Sequence, residues 1–410
     1  MIVPSYGLTC TERVLPKLAL DFTTGVLDPR VTITRALNTA TRINSSGLIE
    51  IVNADLPRFS YAPVSLVSKG LLIEETRTNV LLQSSDFDNI AWKNNSPDTP
   101  VVTSNNLTAP DGTMTGDTLT AISGTSNSRQ SVNVLGGVAY TFSFFLKQGT
   151  SPRTRVLVRD ATNGTNFIQA TQITWSGGIP VIGGISAGTW ATPELYANDW
   201  WRIVATGTPG NGASVNLLTG IFPDTLDQTK NIGAWGAQLE AGTFATSYIP
   251  TTTTSLSRNA DVVSMTGTNF SDWWVATNGS AAVRYAPAIV SGTRPAVQFD
   301  DNTSDNIIAL RSEATNPELY IKATTDQAQI DAGTIAANTN YSLCGAWNTD
   351  NCAASINGAA AITDTSATIP TVTQARLGSD GTNYLNGWLQ SIRYWPQRLT
   401  DAEVQAFSKL

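Results

Sequence analysis

The chain has 410 residues, a formal net charge of −7 and no histidine. This length predicts two or three domains, and the 41% hydrophobic content is enough to bury their cores. The absence of histidine excludes Ser-His-Asp and Cys-His catalytic systems and histidine-based zinc sites. Only 14% of the residues are charged and no basic cluster occurs, which argues against nucleic-acid binding.

Residues 1–80 are predicted to form an extended arm. A short alternating stretch at 31–34, a turn at 44–47 and an apolar run at 71–73 contain too few apolar residues for a separate core. We expect this arm to pack on a neighbouring domain or on another protein. The first twenty residues lack the continuous apolar core of a secretory signal, and no run is long enough to span a membrane.

Residues 81–250 are predicted to form a first β-sandwich, because short alternating strands recur there between turns without a competing helical period. The clearest strand is 139–146, where aromatic and small residues mostly alternate. The polar run 251–255 follows Pro250 and is the predicted linker.

Residues 256–410 are predicted to form a second β-sandwich that ends in a short helix. Strand patterns recur from 279 to 395. Thr400 and Glu403 have the spacing of a capping box, and Val404 and Phe407 share one helical face. The predicted fold class is therefore all-β: two antiparallel sandwiches after an N-terminal arm, with one C-terminal helix.

The three cysteines are Cys10, Cys344 and Cys352. Their number is odd and their spacing fits no metal site. Cys344 and Cys352 flank a predicted hairpin turn at unequal distances, so we expect free, buried thiols, which fit assembly in a reducing cytoplasm.

The N-terminal part of the sequence contains three distinctive phrases, Arg58–Pro63, Lys69–Asn79 and Phe87–Trp92. These phrases resemble the N-terminal region of tailed-bacteriophage virion proteins. Together with them, Ala109–Thr113, Trp235–Glu240 and Thr246–Thr251 resemble a carbohydrate-binding-module-like jelly roll of phage structural proteins. Tyr384–Leu389 and Arg393–Glu403 resemble a concanavalin A-like or laminin-G-like lectin domain. These resemblances are more specific for the class of protein than for a ligand, because one fold hosts many functions.

A glycan-binding role needs aromatic rings that stack on sugars and amides that bond hydroxyls. The candidate residues lie in or beside turn-rich stretches: Trp92, Trp175, Trp190, Tyr196, Asn383, Tyr384 and Asn386. For each tryptophan, packing in the core or at its rim is the competing and more common role. For the 383–386 loop, a simple hairpin turn is the competing interpretation.

Catalysis would need a pair of carboxylates, since histidine is absent. Asp300, Asp301, Asp305 and Asp380 are loop candidates, and Asp224 with Asp227 is another pair. Loop aspartates more commonly form turns or bind calcium, and the resemblance to jelly-roll and laminin-G-like domains implies that a structural calcium ion is possible. No catalytic residue is assigned, and we expect a protein that is not an enzyme.

The sequence therefore predicts a phage virion surface protein, either a tail fibre or spike or a capsid decoration or head fibre, that binds host-surface glycan. Its expected partners are capsid or tail proteins through the arm, host-surface polysaccharide, and further copies of itself in a homo-oligomer such as a trimer. Nucleic acid and membrane insertion are not expected. The predicted location is the virion surface after assembly in the host cytoplasm. A carboxylate-based polysaccharide depolymerase and a purely structural capsid decoration are the alternatives.

Overall fold

The computed structural model describes residues 15–37, 39–93 and 98–409, so Cys10 lies outside the described residues. Antiparallel strands form nearly all of its regular structure, which confirms the all-β prediction. The N-terminal segment contains seven strands: Leu18–Asp21 (β1), Thr32–Thr34 (β2), Ala40–Ile43 (β3), Ile49–Val52 (β4), Phe59–Tyr61 (β5), Ser68–Ile73 (β6) and Arg77–Asn79 (β7).

The middle of the chain contributes twelve strands, which form the first sandwich. They are Val101–Leu107 (β8), Gly116–Thr120 (β9), Ser128–Val134 (β10), Tyr140–Lys147 (β11), Thr154–Asp160 (β12), Thr165–Ser176 (β13), Ile179–Ala187 (β14), Thr189–Trp190 (β15), Glu194–Tyr196 (β16), Trp200–Gly207 (β17), Val215–Phe222 (β18) and Asn231–Ala241 (β19).

The remaining strands belong to the C-terminal part. They are Leu256–Arg258 (β20), Val262–Thr266 (β21), Gly279–Pro287 (β22), Thr293–Asp300 (β23), Asn306–Glu313 (β24), Asn316–Ala323 (β25), Thr325–Asp331 (β26), Tyr341–Trp347 (β27), Cys352–Ile356 (β28), Ile362–Asp364 (β29), Gln374–Leu377 (β30) and Gly387–Trp395 (β31). Two α-helices accompany them, Thr268–Ser271 (α1) and Asp401–Phe407 (α2).

The first sandwich packs a five-stranded sheet against a seven-stranded one. The smaller sheet has the order β10-β18-β12-β13-β14, and the larger has the order β15-β17-β11-β19-β9-β8 with β16 beside β17. Side chains of both sheets, such as Phe144, Val158, Ile203 and Leu217, form one core. Burial of these apolar surfaces is the main stabilising contribution.

The second sandwich is built from both ends of the chain. Its eight-stranded sheet has the order β29-β28-β27-β22-β31-β6-β5, with β1 beside β31. Its seven-stranded sheet has the order β2-β21-β30-β23-β24-β25-β26. The described part of the expected arm therefore packs on a neighbouring domain. It does so by contributing strands to both sheets of the second sandwich. Leu18, Leu20, Leu71 and Ile73 are too few for a separate core and instead complete this one.

The β3–β4 hairpin covers an aromatic cluster on the outer face of the first sandwich. Ile49 of β4 packs there with Phe145, Trp200, Trp235 and Tyr248. The N-terminal segment thus contacts both sandwiches. Thr251, in the predicted linker, is also buried, and its hydroxyl donates to the Leu81 carbonyl at 2.7 Å.

A buried ionic cluster, which we call the hub, joins these parts. It consists of Arg35, Arg58, Glu74, Arg258 and Asp261. Arg58 Nη1 lies 2.6 Å from a Glu74 oxygen, and Arg258 Nη1 lies 2.7 Å from that same oxygen. The other Glu74 oxygen accepts the Ser247 backbone N–H, at 2.8 Å, from the segment after the first sandwich. The hub therefore connects the N-terminal segment, the first sandwich and the second.

The C-terminal helix is confirmed. The Thr400 side chain accepts from the Glu403 N–H at 3.3 Å, and the Glu403 carboxylate accepts the Thr400 N–H at 2.8 Å. Cys344 and Cys352 are free and buried, as expected, and burial raises the pKa of Cys352 to about 11. No helix in the described part of the chain is long and apolar enough to cross a membrane.

Candidate functional site

Two of the predicted sugar-stacking rings, Trp92 and Tyr196, are buried in the structure. Trp92 is fully buried, its ring centroid lies 4.6 Å from that of Phe87, and its Nε1 donates to the Gln83 carbonyl. Tyr196 packs edge-on against Phe145 beneath the β3–β4 hairpin. Both residues follow turn-rich sequence, but their rings complete apolar clusters. Removing the rings from water there stabilises the fold.

Trp175 and Trp190 are half-buried. Both pack against the core of the first sandwich, and the Trp190 Nε1 donates to the Ala187 carbonyl at 3.2 Å. No aromatic side chain in the described ranges belongs to the exposed class. Every aromatic ring in these ranges is therefore at least partly covered by neighbouring side chains.

The predicted 383–386 loop divides between a structural and an accessible part. Asn386 is buried, and its side chain makes two hydrogen bonds with Glu75. Its amide nitrogen donates to the Glu75 carboxylate at 2.7 Å, and its amide oxygen accepts from the Glu75 backbone N–H. Its side chain is therefore shielded from solvent and fixed by Glu75. Asn383 is held by Asp380 at 2.8 Å, and Tyr384 is half-buried, which raises its pKa.

The sequence-based search missed a polar surface on the second sandwich, which we call the polar face. It lies on the side of the seven-stranded sheet opposite the core. It comprises Gln298, Asp300, Arg311, Glu318, Tyr320, Gln329, Gln374 and Arg376. Their neighbours in the strands, such as Phe299, Leu310 and Leu319, point into the core.

One row of the polar face crosses five strands. Arg376 of β30 pairs with Gln298 of β23, which pairs with Ala309 of β24. Ala309 pairs with Tyr320 of β25, which pairs with Gln329 of β26. At the usual spacing between strands this row is about 19 Å long. The small Ala309 side chain lies at the centre of this row between Gln298 and Tyr320, and it is fully buried.

Asp300 organises one end of the polar face. This carboxylate is 1% exposed and accepts from Arg376 Nε at 2.9 Å, Gln298 Nε2 at 2.9 Å and Gln374 Nε2 at 2.5 Å. Arg376 also donates from Nη2 to Asn302 at 2.6 Å. Because the carboxylate is buried, these charge-assisted bonds fix the side chains around it.

Glu318 organises the other end. It accepts from Arg311 Nε at 2.7 Å and from Gln329 Nε2 at 2.9 Å. The Arg311 guanidinium lies 3.6 Å from the Tyr320 ring centroid. Burial, together with the hydrogen bond from its hydroxyl to Asp326, raises the pKa of Tyr320 to about 12. Arg311 is thus held between a carboxylate and an aromatic ring.

Several groups of the polar face have no hydrogen-bond partner among the described residues. They are the amide oxygens of Gln298, Gln329 and Gln374, the two terminal nitrogens of Arg311, and Nη1 of Arg376. Gln298 is 4% exposed, yet its amide oxygen is not sealed from solvent. The polar face therefore presents fixed donors and fixed acceptors together.

Three other carboxylates that the sequence suggested as candidates form turns. Asp224 accepts from the Ser151 hydroxyl at 2.7 Å and from two backbone N–H groups, and Asp301 and Asp227 each bond the threonine two residues ahead. Within the described part of the chain, no group of three or more acidic or cysteine side chains is placed to hold a metal ion.

An open groove of about 670 Å³ lies beside edge strand β10 of the first sandwich. It is lined by Leu82, Ile90, Lys93, Gln130 and Val132, with other aliphatic, small or polar residues, and none of the described residues that line it is aromatic or acidic. The polar face has more of the groups that bond sugar hydroxyls, so it is the candidate site.

No family model matches the sequence, and no curated protein matches it. Solved structures with partial similarity include the CBM40 of Ruminococcus gnavus IT-sialidase bound to α2,3 sialyllactose, with 13% identity, a TM-score of 0.29, and coverage of 33% of this chain and 84% of that one. The NanB sialidase from Streptococcus pneumoniae has 12% identity, a TM-score of 0.31 and coverage of 35% and 26%.

The binding domain of botulinum neurotoxin DC in complex with rat synaptotagmin II has 12% identity, a TM-score of 0.29 and coverage of 36% and 39%. Similarities of this extent assign no ligand or activity to this chain.

Proposed function

We propose that this chain is a surface protein of a tailed-bacteriophage particle that binds host-surface glycan through the polar face. The observation that carries the glycan-binding part is the row of fixed polar side chains across β30, β23, β24, β25 and β26. Sugars present many hydroxyls, each of which both donates and accepts. A surface with preorganised donors and acceptors binds such a ligand at a low entropic cost.

The buried carboxylates support this proposal. Asp300 and Glu318 lie on the side of the sheet away from the core, where fold stability requires no charge. Each is charge-paired with an arginine whose side chain is 19% or 16% exposed. Burying a charge costs free energy even when it is paired, so such pairs are commonly found where they position groups for function.

The phage role is supported by the resemblance of the sequence phrases. Those phrases contain Arg58, Glu74 and Ser247, which form or contact the hub. The resemblance therefore concerns the way in which the sandwiches are joined. We propose that copies of the chain assemble as a homo-oligomer on the virion surface, contact capsid or tail proteins, and bind by multivalent adhesion without cleavage.

A glycan array with the full chain tests the glycan-binding proposal. A fragment of residues 81–410 would be unsuitable, because it would lack β1, β2, β5 and β6 of the second sandwich. We expect binding that is weakened about ten-fold or more by the double variant Gln298→Ala/Gln374→Ala, at about 1 kcal/mol for each lost hydrogen bond. The matched control is Gln172→Ala, which removes an exposed glutamine of the first sandwich.

Purely structural decoration of the particle is the second candidate. The burial of Trp92 and Tyr196 favours it, because that role needs no exposed ring. It predicts no binding to any glycan, and equal behaviour of the polar-face and control variants. Product analysis of each bound polysaccharide would separate binding from depolymerisation.

A further inference from the structure

We propose that the polar face selects uncharged glycans and excludes polyanionic ones. The inference rests on the proposed glycan-binding function and names the chemical class of the ligand. It follows from three features: paired charges in the interior of the face, acceptor groups that need donors from the ligand, and exposed carboxylates at its border.

Both arginines of the polar face are already neutralised. Arg376 lies 2.9 Å from Asp300, and Arg311 lies 2.7 Å from Glu318. A ligand carboxylate or sulfate would therefore meet a guanidinium whose charge is balanced by a buried anion a few ångströms away. The arginine nitrogens that lack partners still donate hydrogen bonds, which a hydroxyl oxygen accepts equally well.

The polar face contains unpaired hydrogen-bond acceptors, which require a ligand with hydrogen-bond donors. The amide nitrogens of Gln298 and Gln374 are committed to Asp300, and that of Gln329 is committed to Glu318. The three amide oxygens have no hydrogen-bond partner among the described residues and remain free to accept from a ligand. Hydroxyls can donate to them, whereas carboxylate and sulfate oxygens only accept and would leave them unpaired.

The border of the face is negative. Asp305, Glu313, Asp326 and Asp331 are exposed at the ends of β24 and β26 or in the adjoining turns. Two cations lie near these strand ends: the Lys322 Nζ lies 3.7 Å from Asp305, and Arg294 of the adjacent strand β23 interacts with Glu313. At physiological ionic strength, charges within about 8 Å still interact, so a polyanion that crosses the face is repelled from both ends of these strands.

The test uses the full chain and an array that pairs each neutral oligosaccharide with its sulfated or uronate counterpart. We expect binding to neutral members and at least about ten-fold weaker binding to the charged counterparts. This difference in affinity should become smaller as the salt concentration rises, because the screening length becomes shorter. The variant Glu313→Gln/Asp331→Asn should narrow that difference about three-fold or more, because it removes two border charges. Asp199→Asn, an exposed site on the first sandwich, should leave it unchanged.

Tighter binding of the charged members, or a selectivity unaffected by the border variant, would overturn the inference and leave glycan binding intact. Failure to bind any member of the array would overturn the proposed function, and the inference with it.

Discussion

The guanidinium of Arg58 contacts the carboxylate of Asp261 across 203 residues of sequence, with Nε lying 3.2 Å from Oδ1. Both side chains are almost completely shielded from solvent. Arg58 precedes β5, whereas Asp261 precedes β21, so the pair connects strands of the two different sheets of the second sandwich. Burial alone would lower the pKa of Arg58, but the carboxylates of Asp261 and Glu74 raise it.

Replacing Arg58 with methionine should destabilise the protein by about 3–5 kcal/mol, because Asp261 and Glu74 would remain buried without this partner. Urea unfolding monitored by circular dichroism measures the loss. The matched control is Arg42→Met, since Arg42 pairs with Glu50 at 3.3 Å on the surface. That exposed pair should be worth at most about 1 kcal/mol. Equal losses in the two variants would show that the hub does not stabilise the fold as described.

Glu74 predicts a specific acid sensitivity. Burial would raise its pKa from 4.5, but the guanidinium groups of Arg258 and Arg58 lower it to about 2. A depressed pKa in the folded state gives stability that is present above the unfolded value and is lost as the pH falls through the folded one. The free energy of unfolding should therefore decline between about pH 5 and pH 2, and Glu74→Gln should flatten this part of the curve. An unchanged slope in the variant would contradict the assignment.

Gly70 should be irreplaceable for a geometric reason. Its φ is +92°, and an added Cβ would lie 2.3 Å from the Leu389 carbonyl oxygen of the neighbouring strand β31. Gly164 has a φ of +74° but has nothing within 4 Å of that position. We expect Gly164→Ala to cost about 1 kcal/mol from backbone strain alone, and Gly70→Ala to cost clearly more. Similar melting temperatures for the two variants would refute the close approach of β6 to β31.

Tryptophan fluorescence should show that the tryptophan side chains are shielded from a quencher in solution. Six of the eleven tryptophans, Trp92, Trp200, Trp235, Trp273, Trp347 and Trp395, are at most 2% exposed, and the others are half-buried. Acrylamide should quench the native protein several-fold less than the urea-unfolded chain, because the rings lie within packed clusters. Binding of glycan should change this quenching little. Strong native quenching that a glycan abolishes would instead support a stacking site on tryptophan.

The sequence predicted the class of fold and the C-terminal helix because both leave local signals. Alternating apolar residues indicate strands, and the Thr400–Glu403 spacing indicates a capped helix. It did not predict that β1, β2, β5 and β6 belong to the second sandwich. Pairing between Leu18 and Tyr394 joins opposite ends of the chain, and nothing local to either residue encodes that register.

The candidate site was missed for a related reason. The sequence places several tryptophans beside turns, but it does not show which of them the tertiary structure buries, as it buries Trp92. Gln298 and Asp300 alternate with core residues in the ordinary way of a strand, so each by itself indicates only a solvent-facing position. Their partnership with Arg376 depends on strand order, since β23 and β30 are adjacent in the sheet but about 75 residues apart in sequence. The alternation of core and polar residues along each strand was the available signal. It identifies the side chains that face away from the core, but not which of them form a binding site.

A crystal structure of the full chain with a neutral oligosaccharide selected on the array tests the central claim most directly. We expect a sugar across β23, β24 and β25, with hydroxyls bonded to the amide oxygen of Gln298 and to the terminal nitrogens of Arg311. A sugar bound instead beside Trp175 and Trp190 on the first sandwich, with the polar face empty, would contradict it.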